Sequence, residues 1–208
     1  MREVLLQWTI QNERGPALVD EGLLVYKETF FMKEDENMKT TCPTLYYIDG
    51  NYLKAMHNVD YRVSVKYNNR AFVGIITTIA TQKYVIPLTS QTTQERKKEG
   101  KNKRNGKFTA FVTESSGVEI ANILFNNMIP VFDGVITPLN IDPTVDTYES
   151  NEIRYIRKHW DAIQTKAKKV YDTRYDTNSH DYGFFAKTCC DFKKLEAECA
   201  KLQLSCST

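Results

Sequence analysis

The feature that most constrains the fold is a pair of apolar runs separated by three residues. Residues 71–79 (AFVGIITTI) and 83–88 (KYVIPL) are rich in β-branched and aromatic side chains. Ala80-Thr81-Gln82 separates them at hairpin distance, so the pattern predicts two antiparallel strands. Because the runs are almost continuously apolar, the strands are predicted to lie in the middle of a sheet, buried on both faces. Pro87 predicts a break at the end of the second strand, so that Leu88-Thr89-Ser90 turn out at a sheet edge.

Further strands and a short helix flank this hairpin. The segments LYYI (45–48) and KFTAFVT (107–113) have the composition of strands, and residues 120–139 predict two short strands. The turn Asp49-Gly50-Asn51 supplies a helix cap, and a short helix is predicted to begin at Tyr52.

After Ser150 the apolar residues recur at helical spacing. Steps of three and four residues separate Ile153, Ile156, Trp160, Ile163, Ala167 and Val170. This stripe predicts a long amphipathic helix over about residues 150–172. A last helix is predicted near the C-terminus, with one face formed by Phe192, Leu195, Cys199 and Leu202. The predicted fold class is therefore α+β, an antiparallel and strongly curved sheet with helices packed on it.

Positive charge is concentrated in one loop. The net charge of the chain is +2, but residues 91–107 contain 7 basic and 2 acidic side chains, while residues 1–37 contain 4 basic and 8 acidic ones. Such concentration fits a polyanionic partner. We interpret residues 1–37 as an acidic extension that is dispensable, with an accessory role as the alternative, and residues 38–208 as the working domain.

The sequence predicts a cytoplasmic protein with no membrane contact. No apolar run approaches the roughly 18 residues of a membrane span, and the N-terminal residues lack the long apolar region of a secretory signal. The cysteines are odd in number and do not form a disulfide framework; they are Cys42, Cys189, Cys190, Cys199 and Cys206. Reduced structural thiols are predicted, with a metal site and redox chemistry as lesser alternatives.

Motif searches exclude several enzyme classes and leave nucleic-acid binding. The sequence has no GxGxxG, P-loop, HExxH or GxSxG motif, its three histidines are scattered, and no carboxylate pair has a spacing that defines a site. Neither a metal nor a cofactor is predicted. Twelve tyrosines accompany the basic loop, and aromatic faces stack on unpaired bases while cations hold phosphates. Composition therefore weakly favours a nucleic-acid binder and indicates no reaction.

Residues 70–90, RAFVGIITTIATQKYVIPLTS, resemble the ToxN/AbiQ family, the endoribonuclease toxins of type III toxin–antitoxin systems. The shared pattern is a basic residue, aromatic-x-Gly-Ile, a short turn, Lys-Tyr and then Pro-Leu-(Ser/Thr)-Ser. Three further blocks follow the family's order, namely LYYIDGNYLKAM (45–56), ILFNNMIPV (123–131) and NEIRYIRKHWDAI (151–163). The resemblance covers roughly residues 43–172 and leaves residues 1–37 outside.

This resemblance implies a fold related to MazF-like toxins, a curved antiparallel sheet wrapped by helices. It implies sequence-selective, metal-independent cleavage of cellular or phage RNA by attack of a 2′-OH, which leaves a 2′,3′-cyclic phosphate and a 5′-OH. It also implies a cytoplasmic toxin of the phage-defence, abortive-infection type. Its antitoxin is implied to be a repetitive pseudoknot RNA, which the toxin cuts from a precursor and holds in a closed cyclic protein–RNA assembly.

The resemblance also implies which residues are catalytic. The family's active-site serine matches Ser90, the preceding hydroxyl matches Thr89, the tyrosine that opens the first helix matches Tyr52, and the basic residue before the strand matches Arg70. The planar guanidinium of Arg70 suits the oxygens of a phosphorane. The hydroxyls can orient the phosphate or relay a proton, but without an evident base Ser90 is not predicted to be a covalent nucleophile.

The expected RNA-binding residues include one departure from the family pattern. Where the family has a lysine two residues after the serine, this chain has Thr92. Either Lys97 or Lys98 replaces that charge, or Arg70 supplies it alone. The full predicted RNA-binding set is Tyr67, matched across a one-residue gap, with Thr92, Arg96, Lys97, Lys98, Lys101, Lys103 and Arg104.

Two other functions compete with the endoribonuclease hypothesis. The substitution at Thr92 favours a catalytically weak RNA-binding module on the same fold. A DNA-binding regulator is an alternative of a different class. Cleavage of RNA in excess EDTA, with fragments ending in a cyclic phosphate, separates the enzyme from both binding proteins.

We expect a variant that begins at Met38 to cleave RNA and bind its antitoxin as the full chain does. Residues 1–37 carry a net charge of −4, opposite in sign to an RNA-binding surface, and lie outside the resemblance. Thermal unfolding checks this, because a midpoint lowered by more than about 5 °C, or roughly 1–2 kcal/mol, places the segment within the packed domain. The apolar residues of LLVYKETFF (23–31) are the part of the segment that can cover a sheet edge.

Overall fold

The computed structural model describes residues 43–65, 73–142 and 144–206. The predicted extension 1–37, Cys42, Tyr67 and Arg70 all lie outside these residues. Within them, no helix is both long and apolar enough to span a bilayer.

The fold is built on one antiparallel sheet of seven strands, in the order β4-β5-β3-β2-β1-β7, with β6 paired to β3. The strands are β1 (Leu45–Ile48), β2 (Val73–Ile79), β3 (Gln82–Thr89), β4 (Thr109–Thr113), β5 (Glu119–Leu124), β6 (Ile129–Pro130) and β7 (Ile136–Pro138). The predicted α+β class and antiparallel sheet are confirmed. The residues 120–139 form three strands rather than the predicted two, because single 3₁₀ turns separate them. The relation to MazF stays a prediction.

Six helices lie in the described part of the chain. They are α1 (Gly50–Val59), α2 (Thr93–Lys98), α3 (Tyr148–Lys158), α4 (Trp160–Tyr175), α5 (Tyr182–Thr188) and α6 (Phe192–Cys206). Helix α4 contacts β2, α3 contacts β4, and α6 contacts both α1 and β6. Helices α3, α4 and α6 thus pack on the sheet, as expected.

The central hairpin is confirmed, and a glycine allows its strands to approach closely. Strands β2 and β3 pair from Ile79–Gln82 to Gly74–Pro87. Ala80 has a φ of +53°, in the left-handed region that tight turns require. A Cβ atom on Gly74 would lie 2.7 Å from the carbonyl oxygen of Ile86. The glycine of the aromatic-x-Gly-Ile pattern is therefore required by the backbone of the neighbouring strand.

The expectation that Leu88-Thr89-Ser90 turn out at a sheet edge is wrong. Strand β3 continues through Pro87, and Leu88 and Thr89 pair with Ile123 and Asn122 of β5. Pro87 has no backbone N–H to donate. Strand β3 nevertheless continues, because β5 becomes its partner where its pairing with β2 ends. Ser90 therefore follows a strand in the interior of the sheet.

The predicted long helix over residues 150–172 is two helices, α3 and α4. The backbone leaves helical geometry at His159, where φ is −113° and ψ is 20°, and its N–H donates to the carbonyls of both Tyr155 and Ile156. The apolar stripe continues across the break, because Ile156 and Ile163 are both buried. The periodicity detected the buried face but contains no information about this local break.

An aromatic cluster joins β3 to α4 and α6. The ring of Tyr84 contacts Tyr171 and Phe192 edge-on, and Tyr171 stacks on Phe192. The hydroxyls of Tyr84 and Tyr171 both donate to Oε1 of Glu196. Burial, followed by this carboxylate, raises the pKa of Tyr171 to about 12. Both hydroxyls thus have a partner, and the carboxylate of Glu196 joins α6 to β3 and α4.

The cysteines of the described residues are free thiols, as predicted. Cys189, Cys190 and Cys199 are buried, and Cys206 is exposed. Burial raises the pKa of Cys189 to about 12, which keeps it protonated. The three buried thiols are part of the hydrophobic core.

A buried carboxylate joins α1 to the C-terminal helices. Oδ1 of Asp60 accepts from Nε of Arg62 at 2.8 Å, and its Oδ2 accepts from the backbone N–H of Asp191 at 2.6 Å. Arg62 also donates to the carbonyls of Ala186 and Lys187. Burial alone raises the pKa of Asp60, but the hydrogen bonds and charge of Arg62 and the Asp191 N–H outweigh it and leave the pKa lowered.

We expect Asp60→Ala to lower the free energy of unfolding by about 3 kcal/mol, because it leaves a guanidinium and a backbone N–H without their buried partner. Since the folded pKa is lowered, this stabilisation is present above the unfolded pKa of about 4 and is lost as the pH falls through the folded value. Urea unfolding at pH 7 and pH 3 measures both effects. Asp133→Ala, which removes the exposed pair with Lys83, is the control and should cost less than about 1 kcal/mol. Equal losses in the two variants would contradict the assignment.

Candidate active site and RNA interface

The end of β3 presents two hydroxyls next to the basic loop. Thr89 is the last residue of the strand and is half-buried, and its Oγ1 accepts from the backbone N–H of Gln91 at 3.3 Å. Ser90 is the first residue beyond the strand and is exposed. The sheet therefore fixes the backbone on one side of Ser90 and leaves its hydroxyl open to a substrate.

Gln91 is the centre of the hydrogen-bond network that follows. Its Oε1 accepts from Nη1 of Arg96 and from Nη2 of Arg104, each at 3.1 Å. Its Nε2 donates to Oε2 of Glu99 at 2.8 Å, and its backbone carbonyl accepts from Nδ2 of Asn122 at 3.0 Å. One side chain therefore brings two guanidinium groups together one residue away from Ser90.

The departure at Thr92 has a structural explanation. Oγ1 of Thr92 accepts from the N–H of Glu95 at 3.2 Å, and Oε2 of Glu95 accepts from the N–H of Thr92 at 2.7 Å. This reciprocal pair is a capping box that begins α2. Thr92 thus starts a helix within the basic segment, where the sequence analysis predicted only a loop.

The six cations of residues 96–104 fall into two groups. Arg96 and Arg104 are half-buried, and Nε of Arg96 also donates to the carbonyl of Asn102 at 2.9 Å. The exposed group is Lys97, Lys98, Lys101 and Lys103. Within it, Lys101 pairs with Glu99 at 2.6 Å, and Nζ of Lys103 lies 4.7 Å from the ring centroid of Phe111.

Acidic and amide side chains support this network from β5. Oε1 of Glu119 accepts from the backbone N–H of Thr93 at 2.7 Å and from Nδ2 of Asn122 at 3.0 Å. Because Asn122 pairs with Thr89 across the sheet, the start of α2 is held against the same strand end that carries Ser90.

The structure places Tyr52 in the core rather than among these groups. The side chain of Asp49 caps α1 and accepts from the N–H of Tyr52 at 2.7 Å. Tyr52 is 5% exposed, and its hydroxyl donates to the carbonyl of Pro130 at 2.6 Å. Burial, and then the neighbouring Cys199, raise its pKa far above the usual value. Its contacts support a packing role, and its direct catalytic role stays a prediction.

The predicted residues are therefore brought together only in part. Thr89, Ser90, Thr92 and the basic group of residues 96–104 share one strand end and its following segment. Gln91, Glu119 and Asn122 belong to the same network and were missed by sequence reasoning. The Thr-x-x-Glu spacing of residues 92–95 was the available indication of α2. Among the described residues, no cluster of histidine, cysteine and carboxylate side chains has the arrangement of a metal site.

Comparison with known proteins identifies the family. Residues 44–200 match the family model described as Toxin ToxN, type III toxin–antitoxin system. The chain belongs to the ToxN family. The predicted family, and the class of endoribonuclease toxins to which it leads, are confirmed.

Two relatives support the same conclusion. The endoribonuclease ToxN of Bacillus thuringiensis subsp. kurstaki is 27% identical over 168 residues, which cover 76% of this chain and 82% of that protein. The endoribonuclease AbiQ of Lactococcus lactis subsp. lactis is 27% identical over 176 residues, which cover 82% of this chain and 93% of that protein.

Solved structures show the same fold. A toxin structure described by its selective inhibition by a non-coding RNA pseudoknot has a TM-score of 0.68 at 23% identity, over 77% of this chain and 98% of that chain. The structure of AbiQ, a lactococcal anti-phage endoribonuclease of a type III system, has a TM-score of 0.63 at 21% identity, over 77% of this chain and 98% of that chain.

We expect Tyr52→Phe to lower the free energy of unfolding by about 1–2 kcal/mol, because the carbonyl of Pro130 loses its buried donor. Since the hydroxyl is buried and engaged, cleavage per folded molecule should change by less than threefold. Urea unfolding measures the change in stability. RNA cleavage is then compared under conditions in which the variant and the parent are both fully folded. A larger loss of cleavage in a fully folded variant would instead support direct participation of this hydroxyl.

Proposed function

We propose that this chain is a metal-independent endoribonuclease toxin of a type III toxin–antitoxin system. The observation that supports its site is the exposed Ser90 at the end of a central strand, directly before a segment of six clustered cations. Family membership and the activities of its two relatives support the reaction class. The substrate is cellular or phage RNA, and cleavage is selective for sequence.

The reaction uses the RNA itself as the nucleophile. The 2′-OH gives up its proton through the Ser90 or Thr89 hydroxyl, and the 2′-oxygen attacks the adjacent phosphorus. The hydroxyl relay delivers this proton to the 5′-oxygen as the bond between that oxygen and phosphorus breaks, which gives a 2′,3′-cyclic phosphate and a 5′-OH. Fixed positive charge stabilises the phosphorane in this mechanism, and Arg70 is the guanidinium that we assign to it.

The same surface accounts for the antitoxin. A relative of the same fold is inhibited by a non-coding RNA pseudoknot, and another structure of this fold concerns a processed non-coding RNA in an antiviral system. We assign to this chain a repetitive pseudoknot RNA that it cuts from a precursor. Toxin and RNA are proposed to form a closed cyclic assembly in the cytoplasm, with Tyr67, Lys97, Lys98, Lys101 and Lys103 on the RNA side.

One specific observation favours a second candidate, a catalytically weak RNA-binding module. Thr92 stands where the family has a lysine, and its hydroxyl is used to cap α2. A chain without that charge can still bind RNA through the exposed lysines of the segment. Total cellular RNA in excess EDTA separates the candidates, because the toxin produces defined fragments with cyclic phosphate ends and the module only binds.

We expect Ser90→Ala to reduce RNA cleavage at least a hundredfold and to abolish toxicity, with the thermal midpoint and RNA binding close to those of the parent. The exposed hydroxyl makes no contact in the described structure that supports the fold. Ser115→Ala, which changes an exposed serine of the turn between β4 and β5, is the matched control and should cleave normally. A Ser90→Ala protein as active as this control would rule Ser90 out of the chemistry.

A further inference from the structure

Two guanidinium groups meet on one amide oxygen without a carboxylate between them. Oε1 of Gln91 accepts from both Arg96 and Arg104 at 3.1 Å. Within the described residues, neither arginine forms an ion pair, although ten other pairs are present there. The nearby carboxylate of Glu99 is bound to Lys101 and to the amide of Gln91, and that of Glu119 is bound to Thr93 and Asn122. Two like charges are therefore held together by a neutral side chain.

This arrangement leaves donor capacity unused. Each guanidinium has five N–H donors, and a pair of them suits the planar oxygens of a phosphate. Nε of Arg104 is buried and has no hydrogen-bond partner among the described residues. Burial, and then the charge of Arg96, lower the pKa of Arg104, while Glu119 opposes them. An arriving anion relieves the repulsion between the two charges, and this favours its binding.

We propose that Arg96 and Arg104 bind a phosphate of the RNA substrate beside Ser90, and that Gln91 is the positioning residue that holds both guanidinium groups there. This proposal rests on the endoribonuclease function proposed above and deepens it. In this arrangement, Arg96 and Arg104, which lie 4 and 12 positions after Thr92, provide the positive charge that Thr92 lacks. The exposed Lys97 and Lys98, the first candidates for that role, have no comparable support from the network.

The position of the pair favours a phosphate over a purely structural role. If the arginines only held residues 91–104 together, one of them would be enough. Arg96 already connects Gln91 to the carbonyl of Asn102. Arg104 adds a second, half-buried charge whose side chain makes one hydrogen bond in the described structure, the one to Gln91. Placing that charge beside Arg96 lowers the stability of the fold through desolvation and repulsion, which a neutral residue would avoid. A bound RNA phosphate offsets this loss by pairing with both charges.

A charge-conserving swap tests the proposal. The double variant Gln91→Glu with Glu99→Gln exchanges a carboxylate and an amide that already contact each other at 2.8 Å. The new carboxylate accepts from the same two N–H groups and places a negative charge between both arginines, where it competes with a phosphate, while the net charge and the shape of the network are unchanged. We expect kcat/KM for RNA cleavage to fall more than fivefold, with the thermal midpoint equal to or above that of the parent. Glu99→Gln alone should not lower cleavage.

A positioning residue that acted only on folding would not give this result, since the swap keeps every guanidinium in place. A swap variant that cleaves within fivefold of the parent therefore overturns the proposal. If the swap fails to fold, Arg104→Gln is compared with Lys201→Gln, an equal loss of charge at an exposed position of α6. The same fivefold criterion applies to that comparison, and Arg104→Lys should restore less than half of the loss because lysine lacks the planar fork.

Failure of the proposed function is distinguishable from failure of this inference. If the parent does not cleave total cellular RNA, the endoribonuclease assignment fails, and the phosphate site is then tested by binding of a mixed-sequence 2′-O-methyl RNA 20-mer. Weaker binding by the swap, with a smaller dependence on salt, supports the site because each lost phosphate contact lowers the salt slope by about 0.7 units for a single strand. Unchanged affinity and slope overturn it.

Discussion

The pairing of β3 with three other strands is the constraint on which the rest of the structure depends. Its first six residues pair with β2, Tyr84 and Val85 pair with β6, and its last two residues pair with β5. Close approach at Gly74 allows the first of these pairings. Because the change of partner falls next to Pro87, the strand reaches Thr89 with its backbone fixed. Ser90 thus stands at the end of the strand that has the most partners in the sheet, and a group on such a well-supported element is held more precisely than one on a loop.

The same strand connects the candidate site to the C-terminal helices. The buried side chain of Tyr84 contacts Tyr171 of α4 and both Phe192 and Glu196 of α6, so these two helices support β3 on that face. The Asp60–Arg62 pair then fixes the start of α6 against the end of α1. Changes in these helices, far from Ser90 in sequence, therefore act on the strand that presents it, and their effects on cleavage should follow their effects on stability.

Local patterns predicted most elements, and long-range pairing explains what they missed. The hairpin, the cap at Asp49 and the apolar faces of the C-terminal helices each follow from neighbouring residues. Three features do not: the continuation of β3 past Pro87, the break at His159 and the third strand within residues 120–139. Each depends on a partner distant in sequence or on a local geometry that leaves the apolar spacing unchanged, so periodicity alone could not show them.

The residues of the candidate site that match the family pattern could be predicted from the sequence, and those outside that pattern could not. The resemblance proposes Ser90 and Thr89 as site residues, and the burial of Tyr52 was not visible in its motif. The network around Gln91 has no sequence pattern at all, because its members lie on β5, on α2 and in the following loop, and meet only after folding.

A run of cations looks uniform in sequence, yet folding divides it into exposed lysines and half-buried arginines. The division follows from chemistry, since a planar guanidinium can share one amide oxygen and still present donors to a phosphate, whereas the strongly hydrated ammonium of lysine is more stable in water. The arginines are therefore suited to a fixed site at the strand end, and the lysines to a diffuse attraction for the RNA around it.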